Sequence, residues 1–75
     1  MSMEAEHARV LFLEAVARHG LKVLSDDGRT IELEKEYSVE VESSGLLKLR
    51  SEGLVVAPFS DAEELCRFIK ETTWL

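Results

Sequence analysis

Between Leu21 and Ala57 the chain alternates apolar and charged residues with a period of two, and one phase runs through the whole stretch. Odd positions carry Leu21, Val23, Ile31, Leu33, Tyr37, Val39, Val41, Leu47, Leu49, Val55 and Ala57. Even positions carry Lys22, Glu32, Glu34, Glu36, Glu40, Glu42, Lys48 and Arg50. Successive side chains of a strand point to opposite faces, so this pattern describes a sheet with one buried face and one in water. A half-solvated sheet of this kind is antiparallel.

Three glycine-ended triplets punctuate the alternation: Asp26-Asp27-Gly28, Ser43-Ser44-Gly45 and Ser51-Glu52-Gly53. A three-residue hairpin loop is commonly a type I turn followed by a left-handed residue, a position that glycine fills cheaply. Such a loop pairs residues i and i+4, so odd residues stay on one face from strand to strand. The register this predicts sets Lys22 opposite Glu32, Glu40 opposite Lys48, Val41 opposite Leu47 and Leu49 opposite Val55. Glu34-Lys35-Glu36 has the spacing of another such turn but no Gly or Asn to take the left-handed position. The alternative there is one bent strand from Arg29 to Glu42. At ~3.4 Å per residue it would span roughly 48 Å and would have to pair its end with a second subunit.

On either side of this region the period lengthens to 3.6. Residues 3–19 predict a helix whose core face carries Ala5, Ala8, Leu11, Phe12, Ala15 and Val16, with Arg18 and His19 in its last turn and Gly20 as its left-handed cap. Residues 60–73 predict a second helix. It opens on the capping-box pattern Ser60-Asp61-Ala62-Glu63 and buries Ala62, Leu65, Phe68, Ile69 and Thr72, while Glu63, Arg67, Lys70 and Glu71 face water. The fold expected is a single α+β domain over residues 1–75, a two-layer sandwich. An antiparallel meander of four or five strands carries both terminal helices on its odd-residue face.

Composition removes several function classes. The one cysteine, Cys66, cannot form an intrachain disulfide, which fits a reducing compartment and a cytoplasmic location. Glu4 and Glu6 stand where a secretory signal would be basic, and Val10-Leu11-Phe12-Leu13 is far too short to cross a membrane. Nine basic against fifteen acidic side chains give a net charge of −6, which repels nucleic-acid backbones.

No catalytic constellation emerges. His7 and His19 are twelve residues apart on one helix, about 120° around its axis and roughly 18 Å along it, so they cannot share a metal ion within one chain. His19 reads as a helix C-terminal cation and His7 as a solvent-facing residue. Cys66 reads as a small buried hydrophobe, because only Arg67 flanks it. Glu32, Glu34, Glu36, Glu40 and Glu42 lie on the open wet face, where no apolar pocket separates the acidities of a catalytic pair. Asp26-Asp27-Gly28 is ordinary turn chemistry without the remaining ligands of a calcium loop. No cofactor or metal is expected. Thr73-Trp74-Leu75 fits the short C-terminal pattern that strand-adding peptide-binding grooves accept, against the plainer reading that Trp74 folds back over the core.

Apolar residues outside the expected core direct attention to a surface. Val10, Leu13 and Ala17 form a second stripe on the first helix. Leu24, Leu46, Leu54 and Val56 interrupt the charged face of the sheet. A domain of this size has little stability margin alone, and grouped exposed apolar residues mark interfaces. The expectation is a non-catalytic interaction module — an adaptor, a regulator or a subunit of an assembly — acting as a homodimer through these residues. A different protein, a basic one in particular, is the competing occupant. The alternative function is a small enzyme or ligand binder whose site forms between subunits around His7 or Glu14.

Overall fold

The computed structural model describes residues 3–72. Its elements are α1 (Met3–Arg18), β1 (Val23–Asp26), β2 (Thr30–Leu33), β3 (Tyr37–Val41), β4 (Leu47–Ser51), β5 (Leu54–Phe59) and α2 (Ala62–Thr72). The five strands form one antiparallel sheet in sequence order, and the two helices make the second layer. Ile31, Leu33, Val39, Val41, Leu47 and Leu49 point into that layer from β2, β3 and β4, each no more than 3% exposed. Ala5, Phe12, Ala15 and Val16 from α1 and Leu65, Cys66 and Ile69 from α2 meet them. The two-layer α+β fold is thus the one that the alternation implies, with five strands.

The helix ends follow local chemistry. Gly20, at φ 71°, donates its N–H to Ala17 O, and Leu21 donates to Val16 O. This is the paired bonding of a Schellman cap, with Leu21 packed at the edge of the core. At α2 the cap is Asp61 rather than Ser60. Asp61 Oδ1 accepts the Glu63 N–H at 2.8 Å, and the first helical bond runs from Leu65 N to Asp61 O. Glu63 therefore does not close a capping box. Its carboxylate turns to α1, as described below.

The hairpins agree with the expected register in the middle of the sheet and depart from it at both ends. Glu42 bonds to Leu46 across Ser43-Ser44-Gly45, giving the expected three-residue loop, with Val41 opposite Leu47 and Glu40 opposite Lys48. The first hairpin instead sets Asp26 opposite Ile31, a four-residue loop. Asp27 Oδ1 accepts the N–H groups of Arg29 and Thr30 there, and Asp26 Oδ1 accepts that of Gly28. The last hairpin sets Ser51 opposite Leu54, so its loop is the two residues Glu52-Gly53, at φ 53° and 82° as a type I′ turn requires. Loops of two or four residues pair odd with even positions, which would turn the core side chains outward. A register shift corrects each one: between Val23 and Ser25 in β1, and between Leu49 and Arg50 opposite β5. Leu24 and Val56 are the extra residues of these bulges.

Beyond the bulges the phase is restored, with Val23 opposite Leu33 and Leu49 opposite Ala57. Between bulge and turn it is not. Ser25, not Lys22, faces Glu32, and Val55 faces Arg50 instead of Leu49. Val55 is consequently 51% exposed rather than buried. The other outermost odd residues, Leu21, Val23, Tyr37 and Ala57, are partly buried.

Glu34-Lys35-Glu36 is a turn. Tyr37 N–H reaches Glu34 O at 3.5 Å, and Lys35 and Glu36 both lie in the left-handed region, at φ 61° and 67°. The longest axis of the molecule is 36 Å, shorter than the single strand that the alternative required.

Candidate functional site

Of the residues expected to form an interface, the structure brings only some together. Leu24 is 59% exposed on β1, and Leu54 and Val56 are 74% and 44% exposed on β5. These strands are the two opposite edges of the sheet, four strand spacings or roughly 19 Å apart. Leu46 is half-buried beside the Ser43-Ser44-Gly45 turn, at the other end of the last hairpin from Leu54. On α1, Val10 and Ala17 are exposed, but Leu13 packs against the margin of the core, and Leu11, expected in the core, is 44% exposed. The helix is rotated so that Leu13 takes part of the place assigned to Leu11.

What remains is a patch on the β5 edge. Leu54, Val55 and Val56 are three consecutive exposed apolar residues on a strand without a charged side chain. The sequence pattern missed Val55 because it presumed the wrong turn length. At the other end of β5, the ring of Phe59 packs against that of Phe68 of α2, tilted by 51° with centroids 5.6 Å apart, and the two line a groove of about 270 Å³ bordered by Glu64, Arg67 and Glu71.

A second concave surface lies where α1 ends. His19, Gly20, Leu21 and Lys22 from the α1–β1 connection, Leu33, Glu34 and Lys35 from the β2–β3 turn, and Ile69 and Lys70 from α2 enclose about 320 Å³. Leu33 and Ile69, both nearly fully buried, make its floor. No local motif announced it, because its lysines are far apart in sequence. A third recess of about 240 Å³ includes His7 with Glu4, Ser44 and Gly45 at the opposite end of the sheet. His7 itself is exposed, and Glu14 lines neither recess.

The expected helix-end cation takes part in a specific contact. His19 Nε2 lies 2.6 Å from Glu63 Oε2, while Arg18 donates to Glu63 Oε1 from both Nε and Nη2. The His19 hydrogen bond, then that of Arg18, holds the Glu63 carboxyl below its ordinary range. The cluster ties the end of α1 to the start of α2. Its groups sit at the surface, and it reads as a structural clasp. The solvated sheet face behaves as a charge lattice: Glu40 pairs with Arg29 and Arg50, and Lys48 pairs diagonally with Glu42. Arg9 pairs with Asp26, joining α1 to β1.

Cys66 has no exposed surface, and burial pushes its thiol up to about 11, which makes it a poor nucleophile. Among the described residues no three His, Cys, Asp or Glu side chains are grouped to hold a metal ion, and no helix is long and apolar enough to cross a membrane. Thr73-Trp74-Leu75 lies outside the described residues. Comparison with protein-family models, with curated proteins and with solved structures gave no match.

Proposed function

We propose that the protein is a non-catalytic interaction module of the cytoplasm that acts as a homodimer, joined through the β5 edge. The observation that carries this reading is the run Leu54-Val55-Val56, three exposed apolar side chains in sequence on an edge strand. Edge strands are normally blunted by charge, shortness or bulges. β1 has four residues, a bulge and Asp26, whereas β5 has six residues and no charge. Pro58 and the bulge at Val56 obstruct a continuous extension of the sheet, so the contact packs side chains instead of adding a ladder.

A second copy suits β5 because the groove at the Phe59 end of the strand carries both signs. Glu64, Arg67 and Glu71 edge the Phe59–Phe68 groove, and a two-fold axis sets one copy's arginine against its partner's carboxylates. The buried free thiol of Cys66 supports a reducing compartment.

Sedimentation equilibrium over a wide micromolar range tests the reading. The expected result is reversible association with a mass above the 8.5 kDa chain, abolished by Leu54→Glu, a change at a site too exposed to unfold the monomer. A single species at the chain mass throughout the range overturns the proposal.

A further inference from the structure

We propose that the cleft between the end of α1, the β2–β3 turn and α2 is a binding site for a small monocarboxylate with an apolar body. The chain has four lysines, and three of them, Lys22, Lys35 and Lys70, line this one cleft. They come from three separate elements, and among the described residues of the lining the only acidic side chain is Glu34. In a chain of net charge −6 this is a local reversal of sign. Although fifteen carboxylates are available, neither Lys22 nor Lys35 forms an ion pair among the described residues; outside the cleft Arg9, Arg18, Arg29, Lys48 and Arg50 do, and Arg67 does not.

The β2–β3 turn places Lys35 on the rim of the cleft, facing Lys22 and Lys70 from a different element.

The chemistry of the lining selects the ligand class. Its floor is Leu21, Leu33 and Ile69, so the body of the ligand is apolar. Its volume of about 320 Å³ is at the small end for ligand pockets and suits on the order of ten non-hydrogen atoms. Neither helix N-terminus reaches it, so the backbone N–H cradle used for phosphate is missing, and the lysine ammoniums supply the positive charge. A single carboxylate held between the ammoniums of Lys22 and Lys35, with Lys70 alongside, fits this arrangement.

The test is a titration of the ¹⁵N-labelled full chain with octanoate, 1-octanol and octylammonium, which share a tail and differ in head group. Octanoate is expected to give saturable shifts centred on the amides of Gly20, Leu21, Leu33, Lys35 and Ile69. It should bind at least about fivefold more tightly than octanol, the equivalent of two screened charge contacts, and octylammonium should bind more weakly still. The double variant Lys22→Gln/Lys35→Gln, altered only at exposed side chains, should keep its amide dispersion and reduce octanoate to the octanol level. Equal binding of octanoate and octanol, shifts centred on Leu54–Val56, or no saturable shift at all overturns the proposal.

Discussion

Glu36→Gly should stabilise the protein, although it removes a side chain and adds a flexible residue. Glu36 sits at φ 67°, in the left-handed region. For an L-residue with a Cβ that conformation costs roughly 1–2 kcal/mol. Glycine removes the cost but loses about 0.5–1 kcal/mol of extra backbone entropy on folding. The net gain is on the order of 0.5–1 kcal/mol, or a rise of about 3–6 °C in Tm for a domain of this length. A further contribution has a pH signature. The Glu36 carboxyl is raised above its ordinary range by a hydrogen bond to the Glu52 carboxyl and then by that group's charge. A group with a raised folded value stabilises fully below its unfolded value, and that stability is lost as pH rises through the folded value. The advantage of the glycine variant over the wild type should therefore be larger at pH 7 than at pH 4. Urea unfolding followed by circular dichroism at the two pH values measures both. Glu36→Val is the control, because a β-branched residue tolerates the left-handed region worst and should lower Tm. If valine stabilises and glycine destabilises, residues 34–36 are extended strand and the reasoning about this turn fails.

Three further outcomes follow from single residues. Gly45→Ala should cost about 1–2 kcal/mol by denaturant midpoint, since φ is 91° and the new Cβ would lie 3.2 Å from the Glu4 carbonyl oxygen. Cys66 should resist alkylation at pH 8 in the folded protein and react on unfolding, as mass spectrometry after an iodoacetamide pulse will report, because its thiol is buried and raised to about 11. The Glu63 carboxyl is depressed by its His19 hydrogen bond and then by Arg18, so it contributes stability above its unfolded value that is lost as pH falls through the folded value. Acid unfolding of Glu63→Gln should accordingly show a shallower pH dependence below pH 5 than the wild type.

The central strands were legible in the sequence because the period-two pattern reports the register of the core, and Val39, Val41, Leu47 and Leu49 obey it without exception. The turn lengths were not. A three-residue loop without a bulge and a two- or four-residue loop with one put the same side chains into the core, so a pattern read from core residues cannot separate them. The difference falls on Val55, which the pattern buries and the structure exposes. The capping Asp61 was obscured for a similar reason: Ser60 and Asp61 are both good caps, and the Glu three residues after Ser60 was already engaged by Arg18 and His19. The lysine-lined cleft has no linear signature, since Lys22, Lys35 and Lys70 meet only after three elements have packed. The β5 patch was half visible, through Leu54 and Val56 but not the residue between them.

The two bulges give this small sheet a mechanical independence between its tips and its core. Each shift lies between the hairpin tip and the first pair in correct phase, Val23 with Leu33 at one edge and Leu49 with Ala57 at the other. On the bulged strands the residues distal to a shift, Ser25-Asp26 at one edge and Leu54-Val55 at the other, are released from the inward–outward rule, while Ile31 and Arg50 opposite them keep their phase with β3. A bulge that can be taken up or given back is a spare link in the chain. One residue deleted from the Glu52-Gly53 loop can be accommodated by dissolving the bulge at Val56, which returns a residue to the turn with Leu49 still facing Ala57. The outer hairpins are thus the places where this fold can change length and surface chemistry without renegotiating the packing of its core.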